Sequence, residues 1–185
     1  MEIYFDQTFE NLNSLEIAEF ENCTFLNCDF SDADFSHYKF IDCEFQHCNL
    51  SLVKLVNTII QTTSFSNCKM LGLKFSDCNL FGLSFSFEEC NLNHCDFFKL
   101  EIPRTKFQYS QLQDADFSQC DLTSAEFVES DLKGTVFDQS NLEKADFRTA
   151  SNYTIHPNMN RIKKAKFSNE NLQGLLQQYD IKIEV

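Results

Sequence analysis

The chain has 185 residues with 21 Phe, 9 Cys, 4 Gly, 2 Pro and no Trp, and a formal net charge of −13. That length fits one domain or one short repeat array. The acidity excludes a protein that grips nucleic acid by neutralising phosphates or docks on an anionic membrane, and Phe at this density excludes disorder. No apolar run approaches the roughly 18 residues of a membrane-spanning helix. The start, Met1-Glu2-Ile3-Tyr4-Phe5-Asp6, lacks the basic and apolar regions of a signal peptide, so a cytoplasmic location is expected. In that compartment nine cysteines do not imply a disulfide framework.

Residues 1–15 carry Ile3, Phe5, Phe9 and Leu12 and are expected to cover the N-terminal end of a repeat array. From Phe20 a period of five takes over: Phe25, Phe30, Phe35, Phe40 and Phe45, then Leu50, Leu55, Ile60, Phe65, Met70, Phe75, Leu80 and Phe85. The run slips by two residues and resumes at Leu92, Phe97, Ile102 and Phe107, continuing to Phe147. Five fits neither the 3.6 of a helix nor the 2 of a strand. The position two before each large residue is small, and all nine cysteines occupy it: Cys23, Cys28, Cys43, Cys48, Cys68, Cys78, Cys90, Cys95 and Cys120. Two residues in five therefore point inward, one large and one small, and the charges fall on the other three. A chain that turns a corner every five residues closes a square coil of about 20 residues, a β-solenoid. One face then reads Phe25, Phe45, Phe65, Phe85, Phe107, Phe127, Phe147 and Phe167, a stacked aromatic ladder. It places the slip as an outward bulge at Ser86-Phe87-Glu88-Glu89. Bulky Tyr38, Val53, Leu73, Leu83 and Leu100 at the small position predict distorted corners. Over 149–161 the pattern fails, with Asn152 and Pro157 at core positions, and Ala165-Lys166-Phe167 restores it once.

The last segment, 168–185, differs in kind. Leu172, Leu175, Leu176 and Tyr179 have helical spacing, and Ile181, Ile183 and Val185 alternate as in a short strand. This segment is a plain cap on the last coil or a cap that also makes a dimer contact.

Units such as Cys28-Asp29-Phe30-Ser31-Asp32 and Ala115-Asp116-Phe117-Ser118-Gln119 resemble the pentapeptide-repeat motif A(D/N)LXX, and the resemblance covers roughly 16–167. It implies an all-β, right-handed quadrilateral β-helix. The division is then a β-helix over 1–167, with a cap at 1–15, a corner bulge at 86–89 and an irregular stretch at 149–161, followed by a C-terminal segment at 168–185. Size, acidity and the apolar tail, with Ile155-His156-Pro157-Asn158-Met159-Asn160-Arg161-Ile162 preceding it, resemble the quinolone-resistance and microcin-immunity members. That resemblance implies a DNA mimic that binds DNA gyrase or topoisomerase IV and dimerises through Leu172, Leu175, Leu176, Tyr179, Ile181 and Ile183. A rod of about 7.5 coils at about 4.8 Å each is roughly 36 Å long and carries a bit over half the linear charge density of duplex DNA. The outward acids Asp29, Asp32, Asp34, Asp42, Glu44, Asp114, Asp116, Asp121, Glu126, Glu129 and Asp131 are the expected partner contacts, with Phe87, Glu88 and Glu89 as a loop contact. The other reading is a scaffold or interaction module with an unrelated protein partner.

Chemistry is sparse. The cysteine spacing follows the coil and never forms the CxxC of a zinc site. His37, His47, His94 and His156 fall on different sides, and there is no Gly-rich phosphate loop. No enzyme activity, metal, cofactor, direct nucleic-acid binding or membrane contact is expected.

Overall fold

The computed structural model describes residues 2–182. Its strands are short and pair in parallel. One sheet has the order β1 (Glu2–Phe5), β3 (Ala18–Glu21), β5 (Lys39–Ile41), β7 (Ile59–Gln61). The other runs β2 (Thr8–Glu10), β4 (Thr24–Leu26), β6 (Glu44–Gln46), β8 (Thr63–Ser66), β9 (Phe85–Glu88), β10 (Phe107–Gln108). The remaining two sides are held by single parallel bridges, such as Asp29 to Asn49 to Lys69 and Asp96 to Asp116 to Val136. The result is a four-sided parallel β-solenoid.

The corners explain the period. The residue two after most large core residues takes a left-handed conformation, with φ of 52° at Asn22, 58° at Asp32 and 62° at Lys99. Asn and Asp tolerate this region best among residues with a side chain, and they fill many corners. Within a corner the chain closes a turn, as where the Ala33 N–H donates to the Phe30 carbonyl at 3.0 Å.

Rings stack in columns inside the coil. Phe25–Phe45 centroids lie 4.5 Å apart, Phe107–Phe127 5.0 Å and Phe127–Phe147 4.8 Å. A second column, Phe75–Phe97–Phe117–Phe137, meets the first edge-on, with Phe107 and Phe117 5.4 Å apart at 82°. The small inward residue does more than leave room. Its side chain donates to a backbone carbonyl of the neighbouring coil: Cys43 Sγ to Phe20 O at 3.3 Å, Thr58 Oγ1 to Phe35 O at 2.7 Å, Cys120 Sγ to Phe97 O at 2.8 Å and Ser140 Oγ to Phe117 O at 2.7 Å. Cys, Ser and Thr recur there because each combines small volume with a donor. All nine thiols are buried and free, and burial pushes Cys43, Cys78, Cys95 and Cys120 up to about 12, so they stay protonated.

Four features correct the sequence reading. The first is the slip. Phe87, not Phe85, stands in the ladder: it pairs with Phe65 and Phe107, its ring 5.4 Å from each, and it is 1% exposed. Phe85 pairs with Thr63, at the small position. The extra residues therefore enter before β9, and 86–89 is no bulge. The 79–84 segment is pushed outward instead, leaving Leu80 63% and Phe81 82% exposed, so Leu80 leaves the core. The second is the N-terminus. Residues 2–15 form a further coil with a tighter offset, Tyr4 pairing with Phe20 and Phe9 with Phe25. Strand alternation then turns Tyr4 inward, stacked 5.2 Å from Phe20, and leaves Ile3 and Phe5 exposed. The third concerns the bulky corners. Tyr38, Val53, Leu73 and Leu100 are fully enclosed, and Tyr38 satisfies its hydroxyl on Leu15 O at 2.7 Å. A void of about 20 Å³ lies beside Val53 and Leu73. Leu83, the fifth bulky residue, is half-buried within the displaced 79–84 segment, where a distorted corner does occur. The fourth is 149–161. Asn152 turns outward with φ 58°, and Tyr153 and Ile155 fill the core in its place. Asn160 replaces the usual hydroxyl, its Nδ2 donating to Phe137 O at 2.7 Å.

The C-terminal segment folds over that last coil as two 3-10 turns, Asn169–Leu175 and Gln177–Tyr179. Ile155 N–H donates to Gly174 O at 3.0 Å, and Asn171 Nδ2 to Ala150 O at 3.1 Å. Gly174 permits the approach, because a Cβ there would overlap Tyr153 O and sit 2.7 Å from its ring. Ile181 and Lys182 carry no strand, and Ile183 and Val185 lie outside the described residues.

Candidate protein-interaction surface

The repeat projects its acids in columns, one residue before each large core position or at the corners. Asp29, Asp32, Asp34, Asp42, Glu44, Asp114 and Glu129 are exposed, and Asp116, Asp121, Glu126 and Asp131 are half-buried. They do not converge on one site. Asp34 and Asp116 lie on one side, Glu44 and Glu126 on another, Asp29 and Asp131 on a third and Asp121 on the fourth. Among them, within the described residues, only Asp34 forms an ion pair with a lysine, Lys54 at 3.9 Å, and Asp114 lies 3.8 Å from His94.

Sequence reading treats all these acids alike, and the geometry separates them. Asp29, Asp34, Asp116, Asp121 and Asp131 each accept the backbone N–H two residues on, at 2.8–3.1 Å. They brace the corner that follows, an Asx turn. The hydroxyl and N–H of Ser31 hold the Asp29 carboxyl below its ordinary range, and those of Ser36 do the same for Asp34. Burial raises Asp131, but hydrogen bonds from Asn152, Gln113 and the Lys133 N–H outweigh it and hold the group low. Asp32, Asp42 and Glu129 have no such duty. They stand at left-handed corners with their carboxylates free of any hydrogen bond or ion pair to the other described residues. A braced acid gives a fixed charge, and a corner acid a mobile one.

The rod is not uniformly acidic. Its middle coils carry Lys54, Lys69, Lys74, Lys99, Arg104 and Lys106. The basic tail is partly spent internally: Arg148 and Lys166 pair with Asp146 at 2.7 and 3.3 Å, and Arg161 with Glu143 at 2.8 Å.

The expected loop contact fails at Phe87, which is core. Glu88 and Glu89 are exposed but belong to or follow β9 rather than a loop. Leu80 and Phe81 are the protruding apolar residues there, missed because Leu80 keeps the period of five. A signal for them existed: Phe87 is in phase with Leu92 and Phe97 downstream, so the period alone permitted either Phe in the column. At the C-terminal end, Leu175 and Leu176 pack inward in part, whereas Leu172, Tyr179 and Ile181 are exposed. Ile183 lies outside the described residues.

The sequence profile of the pentapeptide repeat region matches residues 18–86 and 83–147. The chain belongs to the pentapeptide-repeat family. Among solved structures it is similar to two trypsin-treated variants of QnrB1, a plasmid-mediated fluoroquinolone resistance protein. The first matches with a TM-score of 0.65 at 18% identity, covering 99% of this chain and 98% of that one. The second matches with a TM-score of 0.64 at 17% identity, covering 100% and 99%. HetL, a pentapeptide-repeat protein from the cyanobacterium Nostoc sp. Strain PCC 7120 involved in heterocyst differentiation regulation, fits at 0.40 and 14% identity over 90% and 83%. No curated protein matches in sequence. The match to QnrB1 spans nearly the whole of both chains. Among the described residues no helix is long and apolar enough to cross a membrane.

Proposed function

We propose that this pentapeptide-repeat rod is a cytoplasmic DNA mimic. It binds DNA gyrase or topoisomerase IV and modulates the enzyme or protects it against quinolones or other poisons. The observation that carries this reading is the set of outward carboxylates on a rigid four-sided rod, nearly all outside any internal ion pair. Acids adjoin at strand spacing, about 4.8 Å, where Asp96 precedes Asp116, Glu101 precedes Asp121 and Glu126 precedes Asp146, and such fixed charges meet enzyme Lys and Arg with little ordering cost. The full-length likeness to a fluoroquinolone resistance protein supports the choice of partner. The contact is electrostatic and weakens with salt. A homodimer through exposed Leu172, Tyr179 and Ile181 doubles the length of the acidic rod.

A supercoiling assay with gyrase, with and without a quinolone, tests the proposal at low and high salt. Inhibition or rescue at low salt is expected, and absence of both, with no physical association, rejects it. The charge contribution is read from Asp32→Lys, Asp42→Lys and Glu129→Lys together. Lys already occupies the same corner position at Lys99, Lys144 and Lys164, so folding is preserved. Binding should fall at least about tenfold, the loss of more than about 1.4 kcal/mol. Replacing Leu172 and Tyr179 with Asp should give monomers in sedimentation; an unchanged dimer moves the interface elsewhere.

A second reading, a scaffold for an unrelated protein, is favoured by one feature: the basic middle coils interrupt the mimicry. A partner captured equally by the triple Lys variant and the parent chain would support it.

A further inference from the structure

The break in the stack also forms a groove. Where 79–84 is displaced, β9 starts with Phe85 beside Thr63, and a groove of about 410 Å³ opens at the corner. Thr62, Thr63, Ser84, Ser86, Arg104 and Lys106 line it over Phe85. No carboxylate lines it, in a chain with 28 acidic and 15 basic residues. Ser84 Oγ is committed, accepting from the Thr62 N–H at 2.7 Å and donating to Gly82 O at 3.2 Å. Thr63 Oγ1 is committed too, donating to Phe40 O and Gln61 O, each at 3.2 Å. The remaining four polar side chains, Thr62, Ser86, Arg104 and Lys106, make no hydrogen bond or ion pair with any described residue. Glu44 and Glu126 bracket the column that runs through Ser64, Ser86 and Lys106, and neither forms an ion pair with Lys106.

We propose that this groove binds the phosphoryl group of a small phosphate ester. A planar guanidinium fork, a mobile ammonium and two hydroxyl donors around one hollow match a tetrahedral dianion. They exceed what a single carboxylate can use. The volume falls in the range of small-ligand sites, about 300–1,000 Å³, so it has room for an organic group beyond the phosphate. The net charge of −13 does not forbid an anion here, because at physiological ionic strength charges beyond about 8 Å are largely screened. The ladder break thus gives the rod a recognition element of opposite sign to its acidic columns. It is independent of a topoisomerase partner.

The test uses the intact protein at physiological salt, titrated with phenyl phosphate, inorganic phosphate and sulfate, followed by calorimetry and amide NMR. Saturable phenyl phosphate binding is expected, with the Thr62, Ser86 and Lys106 amides shifting and affinity above that for sulfate. The R104A/K106A double variant should lose at least about tenfold in affinity. K144A/K164A, which removes two cations from the corner column of Arg104 away from the groove, should bind as the parent does. Thermal unfolding of both variants confirms that they are folded. Non-saturable binding, equal loss in both variants, or sulfate binding as tightly as the ester overturns the proposal.

Discussion

Phe87→Ala is the substitution that most sharply tests the corrected register. The ring is 1% exposed, stacked between Phe65 and Phe107 and edge-on to Phe75 at 5.7 Å. Burying a ring of about 150–250 Å² at about 25 cal/mol per Å² is worth about 4–6 kcal/mol, and measured Phe→Ala losses in cores run about 3–5. For a chain of this size each kcal/mol shifts the melting temperature by about 2–4 °C, so a fall of roughly 6–20 °C is expected. Phe81→Ala, at an 82% exposed ring, should change stability by no more than about 0.5 kcal/mol. Phe85→Ala falls between them: Phe85 is buried, but Ala is the residue that this position takes at Ala115, Ala125 and Ala145. Thermal and urea unfolding followed by circular dichroism gives the order. Phe85→Ala costing more than Phe87→Ala, or Phe87→Ala costing no more than Phe81→Ala, refutes the register.

Gly174→Ala should lift the C-terminal cap, because the new Cβ overlaps Tyr153; a loss of about 1–3 kcal/mol with faster proteolysis of 168–182 is expected. The thiols should be silent to Ellman's reagent at pH 8 in the native protein and all nine reactive in denaturant, since every one is buried inside the coil, out of the reagent's reach. A rapidly reacting native thiol would contradict the closed coil. The hydrogen bond from Arg148 holds the Asp146 carboxyl at about 2, below its ordinary 3.8. A depressed carboxylate stabilises the fold above its unfolded value, and that contribution is lost as pH falls from about 4 towards 2. Because Arg148 is largely exposed, about 1 kcal/mol is at stake. Asp146→Asn should remove it at pH 7 and flatten the acid limb; an unaltered limb means the pair contributes nothing.

The period of five made the solenoid legible before any coordinate was known. Burial demands two inward residues per side, and 21 Phe and nine Cys concentrated at those two positions leave few other folds open. The same regularity concealed what breaks it. Phe85 and Phe87 are both in phase with one flank, and only parallel pairing across neighbouring coils, Thr63 with Phe85 and Phe65 with Phe87, chooses between them. Tyr4 escapes the periodic pattern because the first coil is tighter, so a fixed offset of 20 misses its pairing with Phe20.

The candidate surface divides the same way. That the acids point outward follows from composition and period alone. Which of them brace a corner, as Asp116 does for Ser118, and which stand free, as Asp42 does, follows from the place in the unit: an Asp just before the large core residue, or an acid two after it. The role itself, a hydrogen bond about 3 Å long, is visible only in the structure. Which residues face in and which face out could be read from the chain wherever the local period holds, which it does not at Leu80 and Phe87. Which of them meet could not, because contacts between coils join residues some 20 positions apart and a two-residue slip redirects all of them. The protruding Phe81, the buried Phe87 and the basic groove at Arg104 and Lys106 all come from that one slip.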